Sequence, residues 1–350
     1  MRECLSMSSD PGLAPAATVR LAPFVGKRVL VTGGAGYLAS GLVHALSAAS
    51  VAMTRLCRPG GSPPEDVPDA VGRIEVLLGD VCDPGVWSKA LRDTDFVFHF
   101  AAQTSVPRAE ADPHADYDVN AGAMLQLLEA CRAGHYAPVI VFAGTTTQAG
   151  VPSRLPVDET HPEAPVTMYD LHKLIAELYL KHYTAQGFVR GVTLRLANVY
   201  GPGPNAGSAD RGVLNRMMRN ALNREPLTVF GSGEYVRDYI YIDDVTAAFL
   251  AAGACIERVQ GRSFVLGTGA PHTVREAINL VADRVALKTG WRVPVRHVDP
   301  PVPLHAIERR NFVADSTRFR EATGWSPHVP LLEGIDRTVA YLAARALVTP

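Results

Sequence analysis

The chain has 350 residues, of which 47% are hydrophobic and 20% charged, enough to bury a large core without disulfides or a structural metal. With 34 Lys and Arg against 35 Asp and Glu the formal charge is −1, which excludes an electrostatic case for binding nucleic acid or an anionic membrane surface. No run of 18 apolar residues is present to span a bilayer, and the five cysteines include neither a CxxC pair nor a partner histidine cluster. No metal centre is expected, and the thiols read as reduced, as in a cytoplasmic protein.

In chain order, Met1 to Pro23 is rich in Ala, Pro and Ser without the continuous apolar core of a signal peptide. It reads as a mobile leader, taken as residues 1–25, with Met7 an alternative start. From Lys27, short apolar runs alternate with helical patterns. Strands are expected at Val29–Thr32, Val51–Leu56, Ile74–Leu78, Phe96–Phe100, Val139–Phe142 and Val192–Leu196, and helices at Ala39–Ala48, Tyr117–Arg132 and Tyr169–Thr184. Short runs rich in Val, Ile and Phe suit parallel strands buried on both faces. Their alternation with helices predicts an α/β fold with a doubly wound parallel sheet of the Rossmann kind.

The rhythm breaks after Leu196. A Gly/Pro-rich stretch at Gly201–Gly207, a helix at Gly212–Asn223, a turn at Gly231 and Gly233 and a proline-punctuated tail predict a smaller C-terminal α/β substrate domain. The expected division assigns 26–197 plus about 239–262 to the dinucleotide domain and about 198–238 plus 263–345 to the substrate domain, with a small-molecule cleft between them.

The run Val29-Leu30-Val31-Thr32-Gly33-Gly34-Ala35-Gly36-Tyr37-Leu38-Ala39 is a strand, a glycine turn and a helix start. Gly33 permits the tight turn, Gly36 lets backbone approach a pyrophosphate, and Ala39 is small enough for the helix to pack on the strand. The helix N-terminus offers N–H groups and partial positive charge to phosphate. An ordinary tight turn uses the same residues; the position after the first strand of an alternating chain favours a dinucleotide. The second strand should end on an acid for the ribose hydroxyls, but Cys57 stands there, with Arg55 and Arg58 beside it. That pattern suits the 2′-phosphate of NADP, unless both arginines are solvated surface charges. Asp80 and Val81, after the third strand, are placed at the adenine.

Tyr169 and Lys173 are spaced i, i+4 on one helix face. An ammonium beside a phenol is expected to lower its pKa and let the phenolate act as a base. Such a pair alone is common on helix surfaces. A preceding glycine turn and a hydroxyl cluster at a strand end, Gly144-Thr145-Thr146-Thr147, give it a setting.

With Phe98-His99-Phe100-Ala101-Ala102-Gln103, Asn198-Val199-Tyr200-Gly201-Pro202, Arg237-Asp238-Tyr239-Ile240-Tyr241 and Gly267-Thr268-Gly269, the chain resembles the extended short-chain dehydrogenase/reductase family, in its NAD-dependent epimerase/dehydratase group acting on nucleotide sugars, over roughly Lys27 to Leu342. The resemblance implies Tyr169 as general base and acid, Lys173 as its partner and a ribose ligand, and Thr145 as the hydroxyl on the reacting sugar oxygen. It implies a cofactor site of Gly33, Gly36, Tyr37, Leu38, Arg58, Asp80, Val81, Phe100, Ala101, Ala102, Gln103 and Asn120, together with Tyr169 and Lys173. For the substrate, a nucleotide-diphosphate sugar, it implies Thr145, Thr146, Asn198 and Arg237, the last clamping the pyrophosphate through its planar fork. An ion pair between Arg237 and Asp238 is the competing reading. Arg309 or Arg310 matches the last substrate arginine, and Arg310 is taken. A homodimer is the expected assembly.

Dehydratases of the family carry Asp and Glu directly after the catalytic Thr. Thr146 and Thr147 stand here instead and cannot perform that acid and base chemistry. The expected activities are therefore a 4-epimerase working through a transient 4-keto sugar or an NADPH-dependent 4-ketoreductase; a non-catalytic cofactor sensor is opposed by the intact Thr145, Tyr169 and Lys173.

Overall fold

A computed structural model describes residues 21–204, 212–300 and 304–346. The expected leader lies outside the described residues through residue 20. Residues 21–25 do not form a mobile leader: Phe24 is fully buried in the core, its ring 4.8 Å from that of Phe96, because an aromatic side chain this large is held by the apolar surface it covers. Residues 205–207 of the expected Gly/Pro-rich stretch also lie outside the described residues.

Seven parallel strands form the central sheet: β1 (Arg28–Thr32), β2 (Ala52–Cys57), β3 (Ile74–Leu78), β4 (Phe96–His99), β5 (Val139–Thr145), β6 (Arg190–Leu196) and a last strand, Ser263–Leu266. Their spatial order is Ser263–Leu266, β6, β5, β4, β1, β2, β3, all in parallel register. The order reverses between β1 and β4, and the carboxyl ends of those strands open a crevice there.

Alternation along β1 shows why the sheet is buried on both sides. Val29 and Val31 join one core with Leu42, Phe98 and Phe249, while Leu30 joins the other with Trp87, Val97, Ile140 and Leu127. β3 departs from the expectation of full burial. It is the edge strand of the sheet among the described residues, with Val76 and Leu78 half or more exposed.

The domain boundaries differ from expectation at two places. Ser263–Leu266 pairs with β6, so it completes the large sheet and is not part of the substrate lobe. Tyr239–Tyr241 pairs with Asn198–Tyr200 in a separate two-stranded sheet and so lies outside the large one. In both cases strand pairing overrides the break in local rhythm. The C-terminal lobe has its own core, including Tyr200, Met218, Val229, Ile278, Val281 and Ile335, whereas Phe312 and Phe319 pack back onto the first core.

The helix expected at Tyr117–Arg132 is broken. A short helix, Pro113–Tyr117, is capped by Asp112; a wide π turn follows at Asp118–Gly122, and Ala123–Gly134 continues. The wide turn carries Asn120, whose Nδ2 donates to Gln103 O at 2.9 Å, and such turns re-aim a side chain within a helix. No helix among the described residues is long and apolar enough to cross a membrane.

Candidate active site

The crevice begins where β1 ends. Thr32 Oγ1 accepts the N–H groups of Phe100 and Ala101, both at 3.1 Å, and lies 3.0 Å from His99 Nδ1. Because that hydroxyl has one proton, which it can give only to the imidazole, His99 accepts at Nδ1; its burial pushes the imidazole pKa down to about 3. This knot brings the β4 loop against the glycine turn. Gly33 has φ +63°, and a Cβ there would lie 2.9 Å from Ala101 N, so the turn needs glycine twice over.

The Tyr37–Ser47 helix starts directly after the turn, with Gly36 as its N-cap and no side-chain cap. Its first turn presents backbone N–H groups and the positive end of the helix dipole to a cleft of about 500 Å³. The cleft is lined by Gly33, Gly36, Tyr37, Leu38, Arg58, Asp80, Val81, Phe100, Ala101, Ala102, Thr145, Tyr169 and Lys173, all singled out from sequence, and by Cys57, Ser62, Thr104, Val119 and Ala197. A glycine turn with no room for a side chain, an uncapped helix start and an apolar floor fit a dinucleotide: the turn would hold its phosphates, Asp80 and Val81 its adenine, and Lys173 its nicotinamide ribose.

At the ribose end the two arginines part company. Arg58 is exposed and borders the cleft. Arg55 is not a surface charge: it is buried, with Nε 2.9 Å and Nη2 2.6 Å from Gly34 O and Nη1 2.6 Å from Glu65 O. Strand alternation turns it beneath the glycine turn. Cys57 is nearly fully buried, and burial raises its thiol pKa above the ordinary value.

At the other end, Thr145 closes β5 and caps the short turn after it, its Oγ1 2.8 Å from Thr147 Oγ1. Thr167 caps the Met168–Ala185 helix, with Asp170 N donating to its Oγ1 at 3.1 Å. This places Tyr169, Lys173 and Glu177 on one inward stripe, i, i+4, i+8. Lys173 is buried with its Nζ 4.1 Å from the centre of the Phe142 ring. The electrostatics correct the expectation for the phenol. Tyr169 is held above the ordinary phenol range, first by burial and then by Asp170 and Asp116, against which the nearby Thr145 hydroxyl works. Lys173 is pushed down to about 7 by burial, opposed by Asp116 and Glu177. Desolvation outweighs the attraction that sequence spacing suggested, because it acts on both partners at once.

Six expected residues do not line the cleft. Gln103 turns away, giving Nε2 to Asp116 Oδ1 and Ser105 O, both at 2.8 Å. Asn120 bonds Gln103 O and Asp116 Oδ1, and so stands behind the cleft wall. Thr146 is buried in the turn after β5. Asn198 gives its N–H to Asp238 O at 3.1 Å in the small sheet. Arg237 is buried and donates to the carbonyls of Val236, Glu308 and Arg310. Its ion pair with Asp238 does not form, because Asp238 accepts instead from Thr268 N and Oγ1, Gly269 N and Ala314 N at 2.7–3.1 Å. Of the last two arginines, Arg309 is exposed and Arg310 buried, its Nε and Nη1 without a hydrogen-bond partner and its pKa lowered to about 10 by burial and Arg237.

Sequence reasoning missed two acids. Asp170 is fully buried, near enough to Thr147, Thr167 and Arg310 for each to favour its charged form, yet neither of its oxygens has a partner in hydrogen-bond geometry; burial dominates and raises its pKa. Asp116 is buried against His172, with Oδ2 2.6 Å from Nδ1. An acid in a motif such as Tyr169-Asp170 carries no local mark of burial; the helical period, which sets Asp170 beside the Tyr169 face, was the available signal.

The model of the NAD-dependent epimerase/dehydratase family matches residues 29–267. A UDP-glucose 4-epimerase of Azospirillum brasilense is 32% identical over 333 residues, covering 89% of this chain and 90% of that protein. Among solved structures, UDP-glucose 4-epimerase of Thermotoga maritima with UDP-glucose superposes with a TM-score of 0.81 at 29% identity, covering 91% of this chain and 99% of that one. The Thermus thermophilus UDP-glucose 4-epimerase complex with NAD does so at 0.77 and 32% identity, covering 90% and 98%.

Proposed function

This chain belongs to the NAD-dependent epimerase/dehydratase family, and on that footing we propose that it interconverts a nucleotide-linked hexose with its C4 epimer through a transient 4-keto sugar. The observation that carries the reading is the meeting of Thr145, Tyr169 and Lys173 at one end of a cleft whose other end is the glycine turn.

In this reading Tyr169 takes the proton of the sugar hydroxyl as hydride leaves the same carbon, and returns it when hydride comes back to the other face. Thr145 holds the reacting oxygen. Burial holds the resting phenol protonated, so the form that accepts the sugar's proton is the phenolate, reached when the phenol's own proton is lost to solvent, which positive charge close by, supplied by Lys173, favours. When bound, the oxidised nicotinamide provides the hydride acceptor. Asn198, Arg237 and Arg310 are the proposed ligands of the nucleotide diphosphate. Arg237 already serves three carbonyls, so Arg310 is the cation with donors to give. A homodimer, testable by sedimentation, and a cytoplasmic location complete the proposal.

A second reading, an NADPH-dependent 4-ketoreductase, is favoured by one observation: Cys57 and Arg58 border the cleft where an acid would repel a 2′-phosphate. The two differ in hydride accounting. An epimerase regenerates its cofactor, whereas a reductase consumes one per turnover. Incubation with candidate nucleotide hexoses and substoichiometric oxidised cofactor should yield the C4 epimer with no net change at the reduced-nicotinamide absorbance band. Stoichiometric consumption of NADPH with a 4-keto sugar, and no epimer without it, would replace this reading by the reductase. Loss of water from the sugar would overturn both.

A further inference from the structure

Tyr37 belongs to two regions at once. Its backbone opens the Tyr37–Ser47 helix directly after the glycine turn, and the residue lines the cleft. Its ring is buried in the core of the C-terminal lobe with Tyr200, Leu214 and Met218, whereas Ala39 and Leu42 of the same helix pack in the first core. The Tyr37 hydroxyl donates to Gly201 O at 3.0 Å.

Asn215 completes the contact from the other side. It is buried in the Val213–Leu222 helix, beside the apolar Leu214, Met217 and Met218. An amide buried there costs stability unless its polar atoms are bonded. Its Oδ1 accepts from Gly201 N at 3.1 Å, and because a peptide N–H can only donate, this turns Nδ2 toward Tyr37 Oη, at the longer distance of 3.5 Å. The N–H and the C=O of Gly201 are therefore each held by a side chain, one from the lobe and one from the cofactor helix. Gly201 has little freedom to move: its φ is +136°, and a Cβ there would lie 2.5 Å from Ile242 Cγ2. A Cβ at Gly203 would lie 2.8 Å from Tyr37 Cδ2, so the chain beyond Gly201 lies close on the same ring.

Gly201 directly follows the strand Asn198–Tyr200, which carries the proposed diphosphate ligand Asn198 and whose Val199 lines the cleft. A bonded path thus runs from the start of the cofactor helix, through the Tyr37 hydroxyl, to the peptide of Gly201 and the strand before it.

We propose that Tyr37 and Asn215 are positioning residues that latch Gly201, so that filling the cofactor cleft and filling the nucleotide-sugar site strengthen one another. The proposal rests on the reading of Asn198 as a ligand of a nucleotide diphosphate, and not on which sugar reaction follows. Phosphates at the helix start fix the backbone of Tyr37 and with it the hydroxyl. The segment leading back to Asn198 is then ordered before the nucleotide arrives, and thermodynamic linkage makes the effect reciprocal.

Calorimetric titration of NAD into the full chain, with and without a saturating nucleoside diphosphate, measures this coupling; UDP, dTDP, CDP and GDP are tried and the tightest binder is kept. In the wild type the nucleotide should tighten NAD about tenfold, within the usual span for coupled sites. Tyr37→Phe, which keeps the ring and drops only the hydroxyl, should cut that factor to about two or less. Asn215→Leu, outside the cleft, should do the same while leaving NAD affinity without nucleotide within about twofold of wild type. The double variant should lose no more coupling than either single one, as the two sides of one contact do. Tyr37→Phe carries the test alone if Asn215→Leu does not fold. Absence of coupling in the wild type, or wild-type coupling in the variants, would overturn the proposal. So would an equal loss of NAD affinity with and without nucleotide, the mark of a purely structural role. If no nucleoside diphosphate binds the wild type, the nucleotide-site reading fails and the latch falls with it, whereas nucleotide binding with unaltered coupling in the variants sinks the latch alone.

Discussion

Arg55 donates from both Nε and Nη2 to the carbonyl oxygen of Gly34, at 2.9 Å and 2.6 Å, so that a buried guanidinium braces the glycine turn from below. The turn's shape is thus held by a residue of the neighbouring strand. Arg55→Met should leave Gly34 O and Glu65 O without these partners and cost about 2–4 kcal/mol of stability, as loss of charge-assisted bonds in a buried setting does. Affinity for NAD and NADP should fall by similar factors. Denaturant unfolding and calorimetric titration read both. A loss confined to NADP would make Arg55 a ribose ligand instead.

Arg58 differs because it is exposed at the cleft's edge. Arg58→Ala should weaken NADP binding by roughly tenfold or more, the scale of one lost charge-assisted phosphate contact, and leave NAD nearly unchanged. Cys57→Asp should move the preference the other way, by placing a carboxylate where the ribose hydroxyls arrive. Equal affinities in all variants, measured by calorimetry, would remove both residues from cofactor choice.

Tyr169→Phe should leave the fold and cofactor binding intact while turnover falls roughly a hundredfold or more, the usual scale for a lost general base. Thr145→Val should also lower kcat, since it removes the hydroxyl beside the phenol without changing volume much. Steady-state kinetics with a nucleotide-sugar substrate give the answer, and near-normal turnover of the Phe variant would take Tyr169 out of the mechanism.

Lys173 makes stability depend on pH in a definite direction. Folded, it gives up its proton at about 7, against an ordinary value of 10.5. Between these values the unfolded chain binds more protons, so the folded state gains stability as pH rises, by up to about 1.4 kcal/mol per pH unit for this one group. Above about pH 9 the half-buried thiol of Cys82 and the buried thiol of Cys131, both raised to about 12, act in the opposite sense. Lys173→Met should therefore flatten the rise in stability between about pH 7 and 8.5, seen as a smaller change in denaturation midpoint across that window. An unchanged slope would show that Lys173 keeps its proton through that range.

Local signals determined the elements that carry the cofactor end of the site. Gly33 and Gly36 mark the turn because backbone conformation is a property of the residue itself, and Tyr169 and Lys173 share a face because helical period is set by neighbours along the chain. Six strands and the Met168–Ala185 helix were legible for the same reason, as was the family resemblance that ordered the motifs. What tertiary structure alone decided was where charges ended up. Arg55 and Arg58 look alike in the sequence, yet one is buried under a turn and the other borders the cleft, because strand pairing chooses the face. Arg237 was expected as a free clamp and is tied to three carbonyls; Asp238, its partner in the competing reading, instead gathers N–H groups from two loops. Asp116 and His172 are 56 residues apart and meet only when the helix before the π turn packs on the Met168–Ala185 helix. The acidity of a buried group depends on desolvation and on partners brought from distant parts of the chain, and neither is written in the spacing of residues along it.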